Sequence, residues 1–95
     1  MYKGLRVAVV VPALNEEYNI AATVYGIPDY VDNILVVDDG SRDRTFMVAQ
    51  AIDRPGLEVV RHPDNRGVGA AVASGYRRAL EREADVVAVM AGDGQ

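Results

Sequence analysis

The sequence predicts an α/β fold: a Rossmann-like parallel sheet of about four strands in the order 3-2-1-4, with helices on both faces. Three observations carry this. The apolar runs Val7-Ala8-Val9-Val10-Val11, Ile34-Leu35-Val36-Val37 and Val86-Val87-Ala88-Val89-Met90 show no polar alternation, the habit of strands covered on both faces in parallel sheets. Segments of helical spacing separate them, so strands alternate with helices throughout. Two adjacent acids, Asp38 and Asp39, stand at the carboxyl end of the second run, where open α/β sheets bind ligands.

Strand one starts after Arg6, and Pro12 is expected to end it. Ala13-Leu14-Asn15-Glu16-Glu17 reads as a turn, with Asn15 as N-cap and two acids in the first turn of helix one. Ile20, Val24 and Ile27 recur at helical spacing, and Gly26 and Pro28 stop the helix. Strand two is Ile34 to Val37. Helix two runs from Asp43, its expected cap, to Asp53, with Phe46, Val48, Ala49 and Ile52 apolar. Arg54-Pro55-Gly56 breaks it, Leu57 to Val60 is a short strand three, and Arg61 to Arg66 is a polar loop with His62 on the surface. Helix three spans Gly67 to Glu83, and Val68, Val72, Tyr76 and Leu80 fall on one face, the expected core face. Strand four, Val86 to Met90, leads into Ala91-Gly92-Asp93-Gly94-Gln95.

In this order strand one is central and the switch point lies between strands one and four. The segments Pro12–Glu16, Asp38–Ser41 and Ala91–Gln95 then face one crevice. A buried-type strand last in the sequence leaves an apolar edge. The expectation is that residues 1–95 are one domain fragment, truncated after strand four, that self-associates through this edge.

Composition narrows the function. Ninety-five residues suit one small domain, and 49% apolar with 25% charged residues marks a globular chain. A net charge of −4 without a basic patch argues against nucleic acid as a partner. Without cysteine there is no disulfide framework and no thiolate metal site. No apolar run approaches the ~20 residues that span a bilayer, and Met1–Arg6 is too short and polar for a signal peptide. A cytoplasmic location is expected, with a longer parent associated with the cytoplasmic face of a membrane as an alternative.

Several motifs carry chemistry. After Pro12, Leu14 is placed to pack on a flat ring and Glu16 to accept from a hydroxyl; ordinary helix capping is the plainer reading. Asp38 and Asp39 could hold a divalent cation, bind donor groups of a nucleoside, or cap helix two. Adjacent strand residues point to opposite faces, so one acid serves the ligand while the other braces the loop. Asn65-Arg66-Gly67-Val68-Gly69-Ala70 has Gly-x-Gly ahead of a helix but neither a strand directly before it nor a third glycine, so it is a poor dinucleotide fingerprint. It reads instead as a tight loop at the crevice, with Arg66 either a phosphate contact or a solvated charge. Asp93, between glycines, suits a Mg2+ or Mn2+ site bridging diphosphate oxygens.

Together these residues resemble the start of a family 2 glycosyltransferase of the GT-A fold. The resemblance rests on Val-Val-Val-Pro-Ala-Leu-Asn-Glu-Glu at 9–17, Val-Val-Asp-Asp-Gly-Ser-x-Asp-x-Thr at 36–45, Asn-x-Gly-x-Gly-Ala at 65–70 and Gly-Asp-Gly-Gln at 92–95. It is nearest to the dolichol- or polyprenyl-phosphate sugar synthase branch. It implies an inverting transferase using a UDP- or GDP-sugar donor, with a lipid phosphate as acceptor. Pro12, Ala13, Leu14, Glu16, Asp38, Asp39, Arg66, Gly67, Gly92 and Asp93 would bind the nucleotide, and Asp93 with Gln95 would hold the metal. The branch often carries Asp-x-Asp here, and Ala91 occupies its first position. The family's catalytic base lies beyond these residues, so this stretch alone is expected to be inactive. The rival readings are a phospho-receiver signalling domain, in which the paired acids would follow the first strand, a dinucleotide-dependent oxidoreductase, and a non-catalytic nucleotide-binding module.

Overall fold

The structure is a computed structural model and describes residues 1–90. Its elements are β1 (Val7–Ala13), α1 (Ile20–Tyr25), β2 (Asn33–Asp39), α2 (Thr45–Gln50), β3 (Leu57–His62), α3 (Val68–Glu81) and β4 (Val86–Val89). The sheet order is β3-β2-β1-β4 and every pairing is parallel, as the sequence predicts. All the strands therefore end on one edge. The register sets Ala13 beside Asp38 and Asp39 beside His62.

Strand alternation divides the core in two. Val7, Val9, Val11, Ala13, Ile34 and Val36 pack with Ile20, Val24, Ala49 and Ile52 on the face of α1 and α2. Ala8, Val10, Leu35 and Val37 pack with Ala71 and Ala79 of α3 on the other. Fully burying a Val, Leu or Ile side chain contributes roughly 1.5–3 kcal/mol, and the two central strands hold most of these residues. Continuing the alternation puts Asp38 on the α1/α2 face and Asp39 on the α3 face.

Four local expectations are corrected. Strand one does not stop at Pro12: Pro12 pairs in register with Val37 and the strand continues to Ala13. Its ladder with β4 ends at Val10 opposite Val89, so the missing N–H of Pro12 removes no bond on that side. Asn15 does not cap α1, which begins five residues later; its φ of +54° is left-handed, a conformation asparagine tolerates. No acid stands in the first turn of α1. The second helix is shorter than the expected Asp43–Asp53. Asp43 lies two residues before Thr45, where its Oδ1 accepts the Thr45 N–H at 2.9 Å.

The buried face of α3 is also not the expected one. Val68 and Leu80 are 69% and 53% exposed, Tyr76 is exposed too, and Ala71, Gly75 and Ala79 face the sheet. The reason is proximity: a Cβ built on Gly75 would lie 2.3 Å from Cγ1 of Val10. The helix lies on β1 closely enough that side-chain volume, not hydrophobicity, decides which stripe faces inward. Among the described residues, no helix is long and apolar enough to cross a membrane.

Candidate functional site

At the carboxyl edge a cavity of about 180 Å³ opens between the ends of β1 and β2 and the start of α3. Pro12, Ala13 and Leu14 form one wall, Asn65, Gly67, Val68 and Ala71 the other, and among the described residues Asp39 is the one charged group lining it. Pro12 is there because β1 runs past β4, Leu14 because it is the first residue beyond β1, and Gly67 because a φ of +97° turns the chain into α3.

Asp39 is held from three sides. Its Oδ1 accepts from His62 Nδ1 at 2.8 Å and from the Arg66 N–H at 3.0 Å; its Oδ2 accepts the Gly67 N–H at 2.8 Å. Burial alone would push this carboxyl up. The hydrogen bonds from His62, Arg66 and Gly67 outweigh it and hold Asp39 below the ordinary carboxylate range. The carboxylate thus stays charged while shaping the loop that leads into α3.

His62 is not the surface residue expected from the sequence. It is 5% exposed, with its second ring nitrogen 2.8 Å from Ser74 Oγ on α3. The polar character of Arg61–Arg66 concealed this, and the cause is that β3 continues through Arg61 and His62, setting His62 beside Asp39. A longer β3 reaching level with the acid pair was the available signal.

Asp38 is fully buried on the opposite face. Its Oδ1 accepts the Ser41 N–H at 3.1 Å, while Oδ2 has no hydrogen bond among the described residues and lies 3.7 Å from Arg61 Nε. The Arg61 guanidinium sits over the Phe46 ring, 4.7 Å from its centre. The expectation that the two acids divide between the faces holds.

A second set of bonds ties the loop after β1 to the loop after β2. The Asn15 N–H donates to Ser41 Oγ and Asn15 Oδ1 accepts the Arg42 N–H, both at 2.9 Å. The Glu16 N–H donates to the buried Thr45 hydroxyl at 2.7 Å, which in turn donates to Asp43. Burial would raise the Asp43 carboxyl, but hydrogen bonds from Thr45 and Glu17 hold it low. Glycine is required at Gly40, where φ is +74° and a Cβ would lie 2.4 Å from the Asp64 carbonyl carbon. These ties fix the Leu14 wall relative to Asp39.

Of the residues singled out in the sequence, Pro12, Ala13, Leu14, Asp39 and Gly67 therefore meet around one cavity. Asp38 is behind it. The Glu16 carboxylate takes a hydrogen bond from Asn19 Nδ2 at 3.2 Å and does not line the cavity. The half-exposed Arg66 guanidinium pairs with Asp64 at 3.0 Å, and only its backbone reaches Asp39. Asn65, Val68 and Ala71 line the cavity without having been assigned a role. Gly92, Asp93 and Gln95 lie outside the described residues. No group of three or more His, Cys, Asp or Glu residues that could hold a metal ion occurs among the described ones. The end of β3 carries His62 where a phospho-receiver would carry its accepting aspartate.

Comparison with known proteins is consistent with this geometry. The Glycosyl transferase family 2 model matches residues 8–95. A UDP-N-acetylglucosamine–dolichyl-phosphate N-acetylglucosaminyltransferase from Methanococcus voltae is 31% identical over 90% of this chain and 40% of its own length. An undecaprenyl-phosphate mannosyltransferase from Micrococcus luteus is 34% identical over 95% of this chain and 39% of its own. Among solved structures, glucosyl-3-phosphoglycerate synthase from Mycobacterium tuberculosis, in complex with Mn2+, UDP and glucosyl-3-phosphoglycerate, superimposes with a TM-score of 0.72 at 32% identity. That match covers 94% of this chain and 34% of the other. The chain thus spans about two fifths of the two relatives' length.

Proposed function

The chain belongs to the family 2 glycosyltransferases, and on that premise we propose that it supplies the nucleotide-sugar site of a transferase acting on a UDP- or GDP-sugar. The observation that carries this is the cavity at the sheet edge. It has apolar walls from Pro12, Leu14 and Val68 and, among the described residues, one charged acceptor, Asp39, at its boundary. A nucleobase is a flat apolar ring with polar edges, and such a cavity suits it: the walls exclude water while the carboxylate accepts an N–H from the ring edge.

The remaining assignments follow from position. Glu16, next along the loop after Leu14, serves the ribose hydroxyls, and Asp38 braces the loop behind Asp39. The glycine turn at Gly67 lets the backbone approach the ligand, and Arg66 turns from Asp64 toward a phosphate. Met90 bonds to Val10 on the same side of the sheet, and Gly92, Asp93 and Gln95 follow it in sequence. Asp93 and Gln95 would hold Mg2+ or Mn2+. When bound, the cation stabilises the charge of the departing nucleoside diphosphate. The acceptor is a polyprenyl phosphate, as the names of two relatives suggest, and the transfer inverts the anomeric centre. The catalytic base belongs to a part of the family fold outside these residues, so transfer needs more than this chain. A cytoplasmic location agrees with the proposed donor.

Titration calorimetry of the chain with UDP, GDP and their sugar conjugates, with and without Mn2+, tests the reading. Saturable binding of at least one nucleotide, tightened by Mn2+, is expected. Absence of heat for every nucleotide at millimolar concentration would reject it.

A further inference from the structure

The hydrogen bonds around Asp39 leave it with little capacity for a ligand. A carboxylate offers about four acceptor positions, two on each oxygen. On Asp39, His62 Nδ1 and the Arg66 N–H fill both positions of Oδ1, and the Gly67 N–H fills one of Oδ2. One position on Oδ2 remains. An ionised carboxylate only accepts, so the hydrogen of this His62 contact sits on Nδ1. The other ring nitrogen lies 2.8 Å from the Ser74 hydroxyl oxygen, which itself accepts from Arg77 at 3.4 Å. The Ser74 hydroxyl thus sits between Arg77 and the second ring nitrogen, and its contact holds the imidazole with Nδ1–H on Oδ1.

The nucleobases of the two donors differ in what they ask of a carboxylate. Uracil presents a single ring N–H between two carbonyls. Guanine presents a ring N–H beside an amino group, a pair of donors that matches both oxygens of a carboxylate at once. We infer that His62, backed by Ser74, is a positioning residue that blocks Oδ1 of Asp39 and so selects a uracil nucleotide over a guanine nucleotide. This rests on the reading of the cavity as the nucleoside's place. Arg66 and Gly67 contribute backbone N–H groups that any side chain at 66 would supply; His62 is the part of the arrangement that substitution can remove.

The test is the ratio of dissociation constants for GDP and UDP, measured by calorimetry in EDTA so that only the base differs. Each protein is first checked for folding by circular dichroism. The wild-type chain is expected to prefer UDP by about tenfold, the scale of one hydrogen bond. His62→Leu frees Oδ1 and should reduce the preference to about threefold or less. His62→Asn, whose amide can donate from the place of Nδ1–H, should retain it. If His62→Leu does not fold, Ser74→Ala decides, with the preference expected to fall at least about twofold. A folded His62→Leu or deciding Ser74→Ala protein with the wild-type ratio overturns the inference, as does a wild-type preference for GDP. A wild-type chain that binds neither nucleotide rejects the cavity reading itself.

Discussion

Replacing Asp39 by asparagine should destabilise the fold by about 3 kcal/mol. The residue is 3% exposed and its carboxylate accepts three hydrogen bonds, from His62, Arg66 and Gly67. Bonds to a charged acceptor contribute about 1.5–3 kcal/mol each and neutral ones about 0.5–1.5. Asparagine keeps one oxygen for His62 and Arg66 but brings an amide N–H against the Gly67 N–H. One bond is lost and two are weakened, a sum of about 3–5 kcal/mol, and removing a buried charge offsets part of it. For a chain of this size about 3 kcal/mol lowers Tm by at least ~12 °C. Urea unfolding followed by circular dichroism measures the loss. The pH dependence adds a second constraint. Asp39 titrates lower in the folded chain than the ~3.9 of an unfolded aspartate. Its contribution is therefore present above about pH 4 and disappears as pH falls through the folded value. The wild-type advantage over Asp39→Asn should accordingly be constant near neutrality and shrink in acid. A difference below about 1 kcal/mol at pH 7, or one that grows in acid, would refute the reasoning.

Other substitutions probe separate parts of the account. Gly75→Ala places a methyl group against Val10 and should cost about 1–3 kcal/mol by overpacking, read as a lower urea midpoint. Thr45→Val leaves the Glu16 N–H without its acceptor and removes the hydroxyl donor from Asp43. A loss of about 1–3 kcal/mol is expected in the same unfolding assay. Asp93→Ala should abolish only the Mn2+-dependent part of nucleotide binding and leave the metal-free affinity unchanged in calorimetry. The exposed Val86 and Val89 on the β4 edge should drive self-association, seen by light scattering as a mass above the monomer that rises with concentration.

The legible parts of this protein were those decided by long apolar runs. Uninterrupted Val and Ile in β1 and β2 specified buried parallel strands, and their alternation with helices specified the order β3-β2-β1-β4. The cavity was half legible, because Pro12, Leu14 and Asp39 sit at strand ends where ligands bind in such sheets. What escaped depended on tertiary distance. The Gly75 stripe on α3 is invisible to hydrophobic periodicity, since closeness to Val10 rewards the small residue over Val68, Tyr76 and Leu80. His62 reads as polar and therefore exposed, yet register beside Asp39 buries it. Asn15 looks like a cap in one dimension and is a bridge to Ser41 and Arg42 in three. In each case a partner more than ten residues away decided the outcome.

A nucleoside in the cavity between Leu14, Asp39 and Gly67 is the proposal on which the site assignments rest. Backbone amide NMR of the chain titrated with UDP tests it most directly. The largest shifts are expected at Leu14, Asp39, Gly67 and Val68, with little change at the opposite edge of the sheet around Asp29, Arg54 and Gly56. Shifts concentrated at that opposite edge, or none at saturating UDP, would contradict it.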